Sequence, residues 1–154
     1  MKYIKNYKSP LGNIVLESDG KFLTKLDFSC ECEENDDLEI FARCKAWLDM
    51  YFNGEKPDFN IDYKLENISD FSKKVLEIVS KIPYGETMTY GEISKLISDR
   101  MSSQAVGSAV GKNPICIIIP CHRVIGFNNL GGYSKGMDKK IKLLEIEGII
   151  GKNG

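Results

Sequence analysis

Histidine is almost absent from this sequence, and its scarcity limits the kinds of site that the chain can form. One histidine occurs among 154 residues, so a site built from several imidazole ligands is excluded. The five cysteines include no Cys-x-x-Cys pair and are odd in number, which fits neither a usual zinc site nor a disulfide framework. We therefore expect no bound metal. Cys30 and Cys32 are expected as reduced thiols at or near the surface, and Cys44 and Cys116 in the core.

Long apolar runs are also missing. No stretch reaches the roughly 20 residues that a membrane-spanning helix needs, and residues 1–5 lead directly into strand-like sequence without the apolar segment of a signal peptide. The sequence therefore predicts a cytoplasmic protein. Its hydrophobic fraction of 42% is typical of soluble globular proteins and allows one domain or two small ones.

The net charge of -1 hides a difference between the two parts of the chain. Residues 1–67 carry 9 basic and 14 acidic side chains, whereas residues 68–154 carry 12 basic and 8 acidic ones. A modest basic excess is usually only a solvated face, but its sign suits a phosphate backbone. The second part therefore permits nucleic-acid binding without proving it.

The order of predicted elements indicates an α+β protein with two domains. Alternating apolar residues predict strands over residues 3–8, 13–18 and 22–28, separated by turn sequences, which together form an antiparallel meander. An acidic loop over residues 31–37 precedes a helix over residues 38–52. The polar connector over residues 55–67 follows, and short helical patterns begin after it. We place the domain boundary there, which gives an N-terminal domain over residues 1–67 and a C-terminal domain over residues 68–154.

The C-terminal domain contains a predicted helix-turn-helix. Helices are predicted over residues 70–82, 90–97 and 103–110, and the last two are joined by a turn over residues 98–102. The second helix of the pair is made largely of small residues, which cost helix propensity but let the backbone approach another surface closely. Two interpretations remain equally good: a helix that lies in a narrow groove, and one that packs tightly on its own core. The small residues are Ala105, Gly107, Ser108, Ala109 and Gly111.

Cys121 directly precedes the only histidine, His122, which suggests an activated nucleophile. The thiolate is the reactive form of cysteine, and an imidazole can accept the thiol proton directly or through a water molecule. A carboxylate on the far ring nitrogen would orient the imidazole. The final predicted helix, residues 137–147, has an apolar stripe of Met137, Ile141 and Leu144, and Glu147 lies at its inner edge. A triad of Cys121, His122 and Glu147 is therefore a coherent hypothesis.

A series of short motifs over residues 68–150 resembles the O6-alkylguanine-DNA alkyltransferase family. The Pro-Cys-His-Arg-Val segment is the most specific of them, and the N-terminal signals, Ser9–Gly12 and Tyr51–Gly54, are weaker. Order and spacing both match. The specific motifs are Ile82 to Thr87 with Tyr90, Ala105-Val106-Gly107, Asn113-Pro114, Ile119 to Val124, and Gly132-Tyr133-Ser134.

The resemblance implies a fold and an activity. The expected fold is α+β, with a ribonuclease H-like N-terminal domain and a winged-helix-like C-terminal domain that holds the helix-turn-helix. The implied activity is direct repair of double-stranded DNA, in which the cysteine takes the alkyl group from O6 of guanine, with O4-alkylthymine as a further candidate. The damaged base must leave the stack to reach a buried thiol, and the helix-turn-helix would lie in the minor groove. A thioether product makes each molecule act once, without a cofactor, and we expect a monomer.

The resemblance also assigns roles to residues. Cys121 would attack the alkyl carbon, His122 would take its proton through a water molecule, and Glu147 would orient His122. Tyr90 would donate to N3 of the leaving guanine, and Asn113 would brace the turn below the site. Arg123 is expected as structural support for the active-site loop. The expected DNA and base contacts are Gln104, Ala105, Gly107, Ser108, Gly111, Tyr133, Ser134 and the backbone carbonyls of Cys121 and Val124.

Two departures from the family pattern affect the expected binding of DNA. Gln104 stands where many members have an arginine that inserts into the duplex, and the loop between Val124 and Tyr133 is one residue shorter than usual. Both predict altered base flipping or an altered range of alkyl groups. Two alternatives stay open: a protein that binds the lesion without removing the alkyl group, against which Cys121 argues, and an unrelated Cys-His hydrolase, against which the helix-turn-helix argues.

Overall fold

The computed structural model describes residues 2–34, 37–98, 100 and 102–151 of the chain. Parts of the predicted acidic loop (residues 35 and 36) and of the predicted turn between the paired helices (residues 99 and 101) lie outside the described residues. The contacts divide the chain into two compact units, Met1–Glu66 with Pro114–Cys116, and Asn67–Asn113 with Ile117–Gly154.

The first unit is built on an antiparallel sheet whose strands follow the chain order. β1 (Tyr3–Ser9) pairs with β2 (Gly12–Ser18), and β2 pairs with β3 (Leu23–Phe28), with a register shift between Glu17 and Ser18. The predicted meander is confirmed.

One helix and two short segments complete the first unit. α1 (Glu39–Phe52) buries Phe41, Cys44 and Leu48 as the helical spacing requires. On the open side of β3, Leu26 donates its N–H to the carbonyl of Pro114 at 2.9 Å and accepts from the N–H of Cys116 at 2.9 Å. Residues Pro114–Cys116 group with this unit because of that pairing, although they follow residue 67 in the chain.

The second unit is mainly helical. It contains α2 (Asp70–Ser80), α3 (Tyr90–Ile97), α4 (Ser103–Gly111) and α5 (Met137–Ile146), with a two-residue parallel pairing between β4 (Met88–Thr89) and β5 (Val124–Ile125). The α+β fold class is therefore confirmed. α2 ends two residues earlier than predicted, because Pro83 restricts the backbone of the residues before it.

Local caps explain where these helices begin and end. Thr89 and Glu92 form a reciprocal capping box at the start of α3. The backbone nitrogen of Glu92 lies 3.0 Å from Oγ1 of Thr89, and the backbone nitrogen of Thr89 lies 2.9 Å from Oε1 of Glu92. Ser69 and Ser102 cap α2 and α4 through their hydroxyl groups. Gly148, at φ 74°, ends α5 in the left-handed conformation that favours glycine, as the sequence predicts.

No helix in the described part of the chain is long and apolar enough to cross a membrane.

Candidate active site

Cys121 lies at the start of a short 3-10 turn, Cys121–Arg123, that follows Pro120 and leads into β5. The cysteine is 5% exposed. Its thiol donates to the hydroxyl of Tyr133 at 3.8 Å. His122 and Arg123, the other two residues of the turn, are also buried. One short turn therefore brings a thiol, an imidazole and a guanidinium into the interior together.

The carboxylate of Glu147 holds this turn in place. Glu147 caps the C-terminal end of α5, and its Oε2 accepts from Nε2 of His122 at 2.5 Å. Its Oε1 accepts from Nε of Arg123 at 2.7 Å and from the N–H of Gly85 at 3.0 Å. Arg123 also donates to the carbonyl of Ile82 at 2.8 Å. The carboxylate of Glu147 thus fixes the orientation of both the His122 ring and the Arg123 guanidinium.

The ionisation states of this network follow from burial and charge. Burial disfavours ionisation of Glu147, but the hydrogen bonds and positive charges of His122 and Arg123 outweigh it and lower the pKa of Glu147 to about 2. Burial lowers the pKa of His122, and the charges of Arg123 and Lys140 add to this effect against the contribution of Glu147. His122 is therefore neutral at pH 7, and since the carboxylate can only accept, Nε2 carries the proton and Nδ1 is the basic nitrogen.

A cavity of about 420 Å³ opens onto Cys121. Tyr90, at the first position of α3, lies at this cavity and donates its hydroxyl proton to the carbonyl of Gly132 at 3.4 Å. Burial raises the pKa of Tyr90, so the phenol stays protonated and able to donate. The cavity brings together most of the residues predicted to contact DNA or base, and its lining consists of Tyr90, Gln104, Gly107, Val110, Gly111, Cys121, Gly132, Tyr133 and Ser134.

The small-residue helix α4 has two different faces, which answers the question left open by the sequence. Val106, Ala109 and Val110 are buried in the core of the unit, whereas Gln104, Ser108 and Gly111 are exposed. Gly107 packs beside the ring of Tyr90, where an added Cβ would lie 3.7 Å from the ring carbons. Ala105 is half-buried. The helix is therefore packed on one side and free to approach a ligand on the other.

Asn113 and Val124 make hydrogen bonds that hold the backbone on either side of the active-site turn. The side chain of Asn113 is buried and donates to the carbonyl of Ile119 at 2.8 Å, two residues before Cys121. The carbonyl of Val124, expected to face the base, accepts from Nζ of Lys140 at 2.7 Å. Asn113 thus joins the end of α4 to the active-site turn.

The two halves of the chain match two parts of one family. Residues 2–65 match the 6-O-methylguanine DNA methyltransferase, ribonuclease-like domain, and residues 70–149 match the 6-O-methylguanine DNA methyltransferase, DNA binding domain. The chain belongs to the 6-O-methylguanine DNA methyltransferase family. It is thus a member of a DNA repair methyltransferase family and carries that family's DNA-binding domain.

Individual relatives agree with the family over nearly the whole chain. A methylated-DNA--protein-cysteine methyltransferase of Metallosphaera sedula is 43% identical, covering 94% of this chain and 92% of that protein. One of Sulfurisphaera tokodaii is 41% identical, with coverages of 93% and 91%.

Solved structures lead to the same family. The crystal structure of Mycobacterium tuberculosis O6-methylguanine methyltransferase is 37% identical, with a TM-score of 0.86 and coverages of 100% of this chain and 97% of that one. The crystal structure of the Mycobacterium tuberculosis protein in complex with DNA is 38% identical, with a TM-score of 0.83 and coverages of 94% of this chain and 91% of that one.

Lys140 is the residue of the site that sequence reasoning missed. The predicted apolar stripe of Met137, Ile141 and Leu144 was wrong in part, because α5 buries Lys140, Leu143 and Leu144, while Met137 and Ile141 are half-buried. Lys140 donates to the carbonyls of Val124 at 2.7 Å and Gly132 at 2.9 Å. Burial lowers its pKa to about 8, and the charge of Cys121 acts in the opposite direction.

A signal for Lys140 was present in the spacing. Residues three, four and seven positions apart share one helix face, so Lys140 lies on the same face as Leu143, Leu144 and Glu147. A face that carries a charge at each end and leucines between them indicates buried partners for both charges.

Proposed function

We propose that this protein is a single-turnover DNA repair alkyltransferase that moves the alkyl group from O6-alkylguanine in double-stranded DNA to Cys121. The observation that supports this most directly is the placement of the Cys121 thiol at a cavity large enough for one extruded base, with the neutral His122 and the ionised Glu147 behind it. O4-alkylthymine as a further candidate substrate, the monomeric state and the cytoplasmic location that the sequence predicts belong to the same proposal.

The reaction begins with the loss of the thiol proton. His122 accepts it at Nδ1 through a water molecule, and the imidazolium is stabilised by the carboxylate 2.5 Å from Nε2. The buried ammonium of Lys140, tied to two carbonyls near the site, adds a favourable charge for the thiolate. A neutral imidazole is needed for this step, and the lowered pKa of His122 provides it at pH 7.

The transfer is an in-line displacement at the alkyl carbon. A bond forms between Sγ of Cys121 and that carbon, the bond from carbon to O6 breaks, and its electron pair passes to the guanine. Tyr90 gives its hydroxyl proton to N3 of the leaving base, which neutralises the developing negative charge. The product is a thioether, which contains no acyl group for water to attack, so the protein is consumed.

Binding of DNA rests on the exposed face of α4. Gln104, Ser108 and Gly111 face outward, and the small size of Ser108 and Gly111 lets the helix enter the minor groove while the base turns into the cavity. Tyr133 and Ser134 line the cavity, which supports their proposed contact with the extruded base. Asn113 and Arg123 position the turn and do not touch the reacting atoms in this scheme.

A titration tests the proposal. Increasing amounts of protein are incubated with an excess of duplex that contains one O6-methylguanine, and the remaining lesion is quantified after digestion of the DNA. We expect one lesion to be removed for each protein molecule, and no further removal with time. Removal of many lesions by one molecule, as a hydrolase would achieve, or binding without removal contradicts the proposal.

A further inference from the structure

Phe127 is a large apolar side chain with an unusual position in the loop between β5 and Tyr133. Among the described residues, two large hydrophobic side chains are exposed, Leu96 at 65% and Phe127 at 89%. A single exposed apolar residue is ordinary on a protein surface. Phe127 differs from Leu96 because the loop that carries it is tightly held and adjoins the cavity of the candidate active site.

Hydrogen bonds fix the loop at its base and at both ends. The N–H of Gly126 donates to the carbonyl of Asn129 at 3.0 Å, and the N–H of Gly131 donates to Oδ1 of Asn129 at 2.8 Å. Lys140 donates to the carbonyl of Val124 before the loop and to that of Gly132 after it. The loop is therefore held by hydrogen bonds within itself and by the ammonium of Lys140 at its two ends.

The base of this loop lies directly against Tyr90. Gly131, at φ 72°, approaches the ring so closely that an added Cβ would lie 2.8 Å from Cε2 of Tyr90 and 3.3 Å from the backbone nitrogen of Gly126. Gly126 and Gly131 thus form the narrow base of the loop, and residues 127–130 form its tip. Since Tyr90 and Gly132 line the cavity, the tip that carries Phe127 projects from one side of its wall.

We propose that Phe127 stacks on a DNA base next to the extruded nucleotide and so promotes its extrusion. When a base leaves the duplex, its neighbours lose a stacking partner, and an aromatic ring held beside the cavity can replace it. Apolar side chains inserted at base steps have this effect in proteins that deform the minor groove. The positive balance of residues 68–154, with 12 basic and 8 acidic side chains, favours DNA over an apolar protein partner here. The inference rests on the proposed function and adds Phe127 as a residue that determines the rate of alkyl transfer from duplex DNA.

The first part of the test compares variants on one substrate. Single-turnover rate constants are measured for the wild type, Phe127→Ala, Phe127→Trp and Leu96→Ala with a duplex that contains one O6-methylguanine. We expect Phe127→Ala to be slower by about tenfold, which corresponds to the lower part of the range for one aromatic–base stack. Phe127→Trp should keep the wild-type rate because it retains a stacking ring, and Leu96→Ala should keep it because Leu96 does not adjoin the cavity.

The second part removes the partner base instead of the ring. Three duplexes carry an abasic residue on the 5′ side of the lesion, on its 3′ side, or opposite it. On the duplex that lacks the stacked base, the wild type should slow to the rate of Phe127→Ala, and the two proteins should differ by less than about twofold. An equal effect of Phe127→Ala on all four duplexes, or no effect on any, overturns the inference. A wild type that accepts no methyl group overturns the proposed function, and the inference with it.

Discussion

Two buried cysteines in this protein lie in opposite chemical surroundings. Cys44 lies on the inner face of α1 and is 0% exposed, and burial raises the pKa of its thiol to about 12. Cys121 is nearly as buried at 5% exposure, yet it lies beside a neutral imidazole, a phenol and a buried ammonium. Burial without polar partners keeps the thiol of Cys44 protonated, whereas Cys121 is surrounded by groups that can accept its proton or stabilise its thiolate, as the proposed reaction requires.

The polar network around Cys121 is held together by hydrogen bonds to a single carboxylate, that of Glu147. Glu147 receives hydrogen bonds from His122, Arg123 and the backbone of Gly85. These donors come from two different parts of the second unit, so the carboxylate joins α5 to the active-site turn and to the loop after α2. In the proposed mechanism, reactivity and local stability therefore depend on the same group.

The largest expected effect separates the two thiols directly. Cys121→Ser should accept no methyl group from a duplex that contains O6-methylguanine, because a hydroxyl is a far weaker nucleophile than a thiolate at neutral pH. Cys44→Ala should accept one methyl group per molecule, as the wild type does. The measurement is the mass of each intact protein after the reaction. Methyl uptake by Cys121→Ser would show that the comparison names the wrong cysteine.

The second prediction removes the carboxylate that distinguishes the two sites. Glu147→Gln should slow transfer by about 100-fold, since His122 loses the group that stabilises its charged form. It should also lower the free energy of unfolding by about 3 kcal/mol, because Arg123 is left without its buried partner. Single-turnover rates and denaturant unfolding measure the two effects.

A matched control for this change exists on the same helix. Glu145 pairs with the exposed Lys142 at 3.8 Å, so Glu145→Gln should leave both rate and stability nearly unchanged, within about 0.5 kcal/mol for stability. If the two variants behave alike, the network around Glu147 does not have the importance assigned to it.

The third prediction uses pH. The pKa of His122 is lowered in the folded state, so the unfolded chain binds the additional proton first, and stability should fall as the pH drops through about 6.5. The pKa of Glu147 is lowered to about 2, so its carboxylate stabilises the folded state at pH values above the ordinary carboxyl pKa. That stabilisation is lost as the pH falls toward 2. The rate of transfer should hold from pH 7, where the ammonium of Lys140 is still charged, to below 6.5. A rate that already falls above pH 6.5 would show that His122 titrates as an ordinary histidine.

The smallest expected effect concerns DNA contact rather than chemistry. Gln104 is exposed at the cavity. Gln104→Arg should raise the rate on duplex DNA about threefold. It should also make the rate fall more steeply with salt concentration, by the amount expected for about one additional phosphate contact. Gln104→Lys adds the charge without the flat guanidinium and separates the two contributions. An unchanged or slower rate in Gln104→Arg would remove the argument that Gln104 limits base flipping.

Local patterns in the sequence were enough to predict the fold class and the candidate triad. The meander follows from alternation and turn residues, and His122 and Glu147 follow from adjacency and helical spacing. The contacts between Gly85 and Glu147 and between Arg123 and Ile82 could not be predicted, because the residues of each pair lie more than 35 positions apart in the sequence. Lys140 was missed because a lysine in a helix is usually solvated, and only tertiary contacts with Val124 and Gly132 make its burial favourable.

The central claim is that Cys121, and no other thiol, is the acceptor. The most direct measurement is intact-mass spectrometry of the wild type after incubation with a duplex containing one O6-methylguanine, followed by peptide mapping. We expect a stoichiometric gain of the mass of one methylene group, located on the peptide that contains Cys121 and absent from those that contain Cys44 and Cys116. No gain in mass, or a gain located on another cysteine, would contradict the account.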